Sequence, residues 1–471
     1  MAQICGSKRS RRRRQSPSVF QNLPPEMLDH IFSLLPIKEA ARQCVLASRF
    51  RMSKHFNRKF LFGGEFKGRS RDFVTQLIDD LLDTHKGPQI DSFQLRIDPL
   101  GLQHFLDKWL QICLRKNIKH LDLHFNHPHY TLTADFLNHL NQLTTLRLIH
   151  CNLHLPLELH SMANLTTLLL CHVSLTDAPF HTLLHRCTKL GTIHLNNCPG
   201  LSSLHIHSTC LKVLKLVHCI KLEVVAVHCP TLRSLHYSGH VPRVITFAGA
   251  THIDEAFLDF APAGNRRYMQ ASLLEKLLSH IPNVTLLTAS ALIPEALTAK
   301  FRRGVFGEPC YSFFNLQELH LIMEGGLFCN PYDVLTFMKH CPLLHKLLID
   351  MDDYNFDCGP YWELHQKPKL DKFDHYFDRL KFVKLKGFKF LQSELELVKI
   401  ILKKATHLEA LIFVGAKNGY TKFWRVNSSK YEQLFSYWKA SPAARIVLLR
   451  HTSDRSGVLP SHSKDLLLLT N

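Results

Sequence analysis

The sequence lacks a long hydrophobic run: no apolar stretch among its 471 residues approaches the roughly 20 residues needed to cross a bilayer. No apolar segment follows its basic N-terminus, so we expect no secretory signal peptide. Acidic residues are few, since 39 Asp and Glu accompany 58 Lys and Arg, which gives a formal net charge of +19. Such an excess attracts polyanions weakly and does not define a fold. At 45% hydrophobic and 21% charged residues, the composition is that of a folded chain.

Closely spaced cysteine pairs are missing as well. The 14 cysteines are scattered from Cys5 to Cys358, which is typical of a reducing compartment rather than of a disulfide framework. Histidine–cysteine neighbours such as His150-Cys151 recur at the spacing of a repeat and not at the spacing of zinc ligands. No nucleophile–base set and no phosphate-binding glycine loop stands out. The sequence therefore predicts a protein that is not an enzyme, with no catalytic residue, no metal site and no cofactor.

An internal repeat is the clearest positive feature, from about residue 95 onwards. The frame leucine-x-x-leucine-x-leucine starts at positions 118, 143, 165, 190, 211 and 232, so the spacings are 25, 22, 25, 21 and 21 residues. These spacings match the ~20–29 residues of a leucine-rich repeat. Looser copies start at 316, 344, 380 and 408. The pattern predicts an α/β solenoid whose stacked strands form a parallel sheet on its concave face. Cysteines 151, 198 and 219 are predicted to serve the turn after a strand.

The residue between the last two apolar positions of each copy is predicted to point outward from the concave face. Many of these residues are basic or histidine, which favours an acidic or phosphorylated target or a bound anion. The alternative is a solvated face that binds no ligand. The candidate target-binding residues are Arg147, His194, His205, Lys215, His236, His320 and Lys384.

Two segments precede the repeats. Residues 1–18 are typical of a disordered tail, and its cations predict a nuclear import signal, although a nucleic-acid contact or a solvated charge run would give the same pattern. These cations are Lys8, Arg9, Arg11, Arg12, Arg13 and Arg14. Residues 19–60 predict two or three short helices, which bury little apolar surface alone. Their apolar residues therefore face a partner or pack on the downstream domain.

Residues 22–50 resemble an F-box. The matching runs are Leu23-Pro24-x-Glu26 and Leu35-Pro36, followed by a run that ends at Phe50 where plant F-box proteins commonly carry tryptophan. Residues 380–388, 394–399 and 440–447 are similar to the FBD-type module of plant F-box/leucine-rich-repeat proteins. The resemblance covers most of the chain from 20 to 450.

This resemblance implies a substrate-recognition subunit of a Skp–cullin–F-box ubiquitin ligase, acting in the nucleus, the cytoplasm or both. It implies binding of a Skp-type adaptor and, through it, a cullin, and presentation of a target for degradation. The adaptor-binding residues implied by the family are Leu23, Pro24, Glu26, Leu28, Ile31, Leu35, Pro36, Val45, Leu46 and Phe50.

Two other functions fit the same residues: a repeat scaffold or inhibitor with no ligase role, and a basic nucleic-acid-associated protein. The predicted organisation is a basic tail at 1–18, an all-α F-box at 19–60, a repeat solenoid at 61–375, FBD-like repeats at 376–450 and a polar, mobile tail at 451–471.

Overall fold

The structure, a computed structural model, describes residues 23–24, 27, 30–31, 34–35, 57–64, 68–156, 161–249, 252–261, 270–298, 311–323, 329–352, 354, 356, 362–416, 428–451 and 454–462. The chain divides into two compact units, residues 1–124 and 125–471. The first unit therefore extends well beyond the predicted F-box.

Unit 1 alternates strands with amphipathic helices. The elements are β1 Lys59–Phe62, α1 Arg71–Asp83, β2 Ser92–Ile97, α2 Gln103–Arg115 and β3 His120–Phe125, whose last residue begins unit 2. β1 and β2 pair in parallel. Trp109 of α2 is fully buried, and its indole Nε1 donates to Asp79 Oδ1 of α1 at 3.0 Å. This bond satisfies the one polar atom of a large buried ring, so the two helices pack without an unpaired donor there.

Unit 2 continues the alternation over many copies. In its described part, twelve strands form one parallel sheet. In sheet order they are β5 Thr145–Ile149, β7 Thr167–Cys171, β8 Thr192–Asn196, β10 Val213–Val217, β12 Ser234–His240, β14 Glu255–Ala261, β15 Leu286–Ser290, β16 Glu318–Ile322, β17 Lys346–Asp350, β18 Phe382–Phe388, β19 Ala410–Gly415 and β20 Arg445–Leu449. The predicted repeat frame is confirmed, and the strands at 318, 346, 382 and 410 confirm the looser copies.

Helices and short strands make the return path between the sheet strands of unit 2. The helices are α3 Ala134–Asn138, α4 Asp177–Arg186, α5 Gln270–Ser279, α6 Leu292–Thr298, α7 Pro331–Lys339, a π-helical turn Trp362–Gln366, α8 Lys367–Asp371, α9 Gln392–Lys404 and α10 Ser428–Ser436. The short strands β4 Thr131–Leu132 and β6 Asn152–Leu153 pair in parallel.

The 21-residue copies return differently. Their return segments are β9 Ser203–His207, β11 Val224–His228 and β13 Val244–Ala248, which form a second parallel sheet in the order β13-β11-β9. An extended residue advances ~3.3 Å, whereas a helical residue advances ~1.5 Å. A short copy therefore needs fewer residues to cover the return distance when its return segment is a strand.

Four strands of the twelve-stranded sheet, called the main sheet below, are each followed by a residue with left-handed backbone conformation. His150, His172, Asn197 and His218 have φ between 48° and 54°, and each backbone N–H donates to a carbonyl of the next strand at 2.7–2.9 Å. The rings of His150 and His172 stack with centroids 4.2 Å apart.

The cysteines that follow these residues serve the turns. The thiols of Cys151, Cys198 and Cys219 lie 3.5–3.9 Å from carbonyls of the preceding copy. The role predicted for these three cysteines is therefore confirmed.

Candidate target-binding surface

The middle side chains of the twelve strands form one row in register across the main sheet, which we call the central row. Each member pairs with the equivalent position of its neighbours. The row lies on the sheet face opposite the leucine core, as the alternation of inward and outward side chains requires. Its members are Arg147, Leu169, His194, Lys215, His236, Phe257, Thr288, His320, Leu348, Lys384, Ile412 and Val447. Six of the seven predicted target-binding residues thus share one line.

The first part of the central row is cationic. Arg147 and Lys215 lie on either side of Leu169 and His194, and His194 is only 5% exposed. Burial, together with the charges of Lys215 and Arg147, lowers the pKa of His194 to about 4. The positive charge that faces an approaching ligand at neutral pH therefore comes from the arginine and the lysine, with a neutral imidazole between them.

His236 and Phe257 mark the end of this cationic part. Their rings stack with centroids 4.1 Å apart, and His236 is 7% exposed. Burial, followed by the charge of Lys215, lowers the pKa of His236 to about 3. Burial likewise lowers the pKa of His320 to about 4. The histidines of the row thus act as neutral polar side chains near pH 7.

His205 does not belong to the row, and its predicted place on the concave face is wrong. It lies on β9 in the second sheet, because the 21-residue copy returns as a strand. The alternation in residues 203–207, Ser-Leu-His-Ile-His, is the sequence signal that could have shown this. His205, His207, His228 and Leu211 border a cavity of about 310 Å³ there.

Lys384 lies in the row, but residues 454–462, called here the C-terminal segment, cover it. Its Nζ donates to Asp454 Oδ2 at 2.6 Å, to Ser456 Oγ at 3.0 Å and to the Val458 carbonyl at 2.7 Å. The Lys384 side chain is only 5% exposed as a result. This corrects the prediction for Lys384, which is not open to a target in this structure. Of the tail predicted as mobile at 451–471, residues 454–462 pack on the sheet, and residues 463–471 lie outside the described residues.

The C-terminal segment continues over the neighbouring strands. Lys346 Nζ donates to the Leu459 carbonyl at 2.7 Å. Glu318 accepts from the Ser461 backbone N–H and hydroxyl, both at 2.8 Å. Burial raises the pKa of Glu318, but the bonds from Ser461 and Lys346 outweigh it and hold the pKa below its ordinary value.

The segment ends against the middle of the main sheet. The His462 ring lies 2.8 Å from the Thr288 hydroxyl through Nδ1, and both residues are buried. Val458 packs on Ala410, Ile412 and Val414. The segment therefore makes both polar and apolar contacts with the sheet.

The described residues include four of the ten predicted adaptor-binding residues. Leu23, Ile31 and Leu35 are half-buried and Pro24 is exposed. Beside them, the apolar Met27 is 54% exposed. The other six predicted adaptor residues, Glu26, Leu28, Pro36, Val45, Leu46 and Phe50, lie outside the described residues, and so does the cationic run of residues 8–14.

Metal sites and membrane-spanning helices are both absent from the residues that the structure describes. In that part of the chain no three His, Cys, Asp or Glu side chains converge as a metal site would require. No helix among the same residues is long and apolar enough to span a bilayer.

Several known proteins are similar in sequence to this chain over most of their length. The model of a family described as "At1g61320/AtMIF1, LRR domain" matches residues 81–441. The FBD-associated F-box protein At1g61320 of Arabidopsis thaliana is 28% identical, over 87% of this chain and 91% of that protein. A second Arabidopsis protein named as FBD-associated F-box, At1g61330, is 27% identical over 85% and 92%. The Arabidopsis F-box/FBD/LRR-repeat protein At1g13570 is 21% identical over 93% and 99%.

Proposed function

This chain belongs to the At1g61320/AtMIF1 leucine-rich-repeat domain family, and from that premise we propose that it is the substrate-recognition subunit of a Skp–cullin–F-box ubiquitin ligase. It binds a Skp-type adaptor through residues 22–50 and, through the adaptor, a cullin. It holds a target protein on the repeats of unit 2. The matched family and the names of the relatives describe F-box and repeat proteins rather than an enzyme.

One observation carries the proposal: relatives that align with 85–93% of the chain are named F-box proteins. The F-box pattern at 22–50 and the FBD-like stretches at 380–388 and 440–447 support it from this sequence itself. The exposure of Met27 and Pro24 supports an apolar surface available to a partner.

The mechanism is proximity rather than bond-making. A receptor that holds a target lysine near a charged conjugating enzyme raises its effective concentration, which speeds transfer without any catalytic side chain in the receptor. On the target side, Arg147 and Lys215 of the central row favour an acidic or phosphorylated segment.

The adaptor interaction is tested by co-purification with a Skp-type adaptor. Leu35→Asp places a charge in the predicted apolar interface and abolishes capture, and Pro24→Glu, at an exposed position, weakens it at least about 10-fold. The matched control is Leu100→Asp, because Leu100 is 55% exposed and lies outside the F-box pattern. Circular dichroism checks that each variant is folded. Wild-type protein that captures no adaptor and no cullin contradicts the ligase role and favours a repeat scaffold.

Localisation in the nucleus, the cytoplasm or both is part of the proposal. The run of six cations from residue 8 to residue 14 supports nuclear import. Replacing residues 11–14 by alanine in a fluorescent fusion shifts the protein toward the cytoplasm. An unchanged distribution refutes the import role and leaves the adaptor test untouched.

A further inference from the structure

The C-terminal segment crosses the main sheet without regular secondary structure up to residue 460, and a turn follows at residues 461–462. Val458 lies at Lys384 of β18, and His462 lies at Thr288 of β15. Between these two points Leu459 meets Lys346 of β17 and Ser461 meets Glu318 of β16, so residues 458–462 contact four neighbouring strands in sequence order.

Backbone atoms of the segment make several of the polar contacts. The Val458 and Leu459 carbonyls accept from Lys384 and Lys346, and the Ser461 N–H donates to Glu318. Any extended peptide offers carbonyls and N–H groups at this spacing. This part of the sheet therefore recognises main-chain atoms as well as side chains.

Side chains add selectivity at the start of the segment. Asp454 supplies a carboxylate to Lys384, and Ser456 adds a hydroxyl to the same ammonium. Two residues later, Val458 covers the apolar cluster of residues 410, 412 and 414. The pattern is an acid, a hydroxyl two residues on and an apolar residue two further on.

The sheet side chains that meet the segment form a built site. The side chain of Lys384 is 5% exposed, Glu318 13% and Lys346 22%. A buried ammonium needs acceptors around it, and the segment supplies three. We call Thr288, Glu318, Lys346 and Lys384 the segment site.

We propose that the segment site binds a peptide of the target that places one carboxylate on Lys384, and that residues 454–462 occupy the site as an internal mimic of that peptide. The inference rests on the proposed function, since it takes the repeats to hold a target. The target peptide carries Asp or Glu, then Ser or Thr two residues later, then an aliphatic residue after two more. Target binding requires release of the C-terminal segment, so the segment lowers the apparent affinity of the full chain.

Fluorescence anisotropy with a labelled nonapeptide of the sequence of residues 454–462 tests this on the full-length chain. A tethered segment competes at an effective concentration of order millimolar, so the wild-type chain binds the free peptide poorly. Asp454→Lys repels the segment from Lys384 and tightens peptide binding at least about 10-fold. Ser461→Pro, which removes the two hydrogen bonds that Ser461 donates to Glu318, acts in the same direction. Arg455→Glu is the control, since Arg455 is exposed within the same segment.

A second arm tests the site itself in the Asp454→Lys background. Lys384→Met abolishes peptide binding there. Lys381→Met is the matched control and keeps it, because Lys381 is 47% exposed and pairs with Glu409 instead. Equal peptide affinity for the wild type, Asp454→Lys and Ser461→Pro overturns the inference, and so does peptide binding that survives Lys384→Met. Neither result touches adaptor capture, so failure here is distinguishable from failure of the ligase role.

Discussion

His236 contributes to the acid sensitivity of unit 2, and one substitution removes its share. Its ring stacks on Phe257 and is 7% exposed. Burial is the main cause that lowers its pKa from 6.5 to about 3, and the charge of Lys215 is the next cause. The unfolded chain therefore takes up a proton at this position before the folded chain does. Stability from the neutral ring is complete above pH 6.5 and is lost as the pH falls toward 3.

The magnitude at pH 5 follows from the unfolded state. That pH is 1.5 units below the ordinary pKa of 6.5 and still above the folded value of about 3. At 1.36 kcal/mol per unit, protonation of the unfolded chain costs the fold about 2 kcal/mol relative to neutral pH. His236→Phe keeps a ring against Phe257 and cannot titrate, so its loss between pH 7.5 and pH 5 is smaller by about 2 kcal/mol.

Urea unfolding at the two pH values, followed by circular dichroism, measures this difference. The substitution also changes packing, but that effect is common to both pH values and cancels in the comparison. His154→Gln is the control, because His154 is an exposed histidine of the same unit. If His236→Phe loses as much stability on acidification as the wild type, the buried neutral histidine is not the cause and the reasoning is refuted.

Two further predictions concern packing. Gly387 has φ +80° and a side-chain carbon there would lie 2.5 Å from a neighbouring backbone nitrogen, so Gly387→Ala lowers the free energy of unfolding by at least about 2 kcal/mol. Gly457→Ala, at φ +68° in open space, lowers the free energy of unfolding by only about 1 kcal/mol. Thermal unfolding of both variants measures the difference, and equal losses contradict the steric argument. Trp109→Phe removes the bond to Asp79 and part of a fully buried ring, and urea unfolding gives a loss of about 1–3 kcal/mol. Trp438→Phe, at a 69% exposed position, changes stability by less than about 0.5 kcal/mol, and a similar loss in both variants would disprove the packing role of Trp109.

The repeat could be predicted from the sequence because its signal is periodic and local. A leucine frame that recurs every 21–25 residues fixes which side chains enter the core, and the side chain between two core positions must then point outward. Arg147, Lys215 and His236 were placed correctly in the central row on this ground alone. The contact of Cys198 with the turn after its strand was predicted from its position in the same leucine frame.

The return segments were harder to predict because the length of each copy decides whether its return segment is a helix or a strand. His205 sits in a frame-like context, Leu-x-Ile, that imitates the main strand. The imitation arises because the segment is itself a strand with alternate side chains buried, only in the second sheet. A 21-residue copy leaves little room for a helix, and that count was the available clue.

The position of the C-terminal segment could not be predicted because its contacts are non-local. Asp454 and Lys384 are 70 residues apart, and Ser461 and Glu318 are 143 apart. A short polar stretch without periodicity is typical of a mobile tail. The bonds that hold the segment, such as the three from the Lys384 ammonium, show only in three dimensions.

The copies that start at 190, 211 and 232 have equal length, so the central row can change by the gain or loss of a whole copy. β8, β10 and β12 pair residue for residue, so excision of residues 211–231 brings β8 beside β12 in the same phase. The leucine interior then closes again, since each copy packs chiefly on its neighbours. The central row then loses one cation, Lys215. A gene that gains or loses such a copy can thus change the binding surface by one central-row position while the leucine core and the strand register are kept.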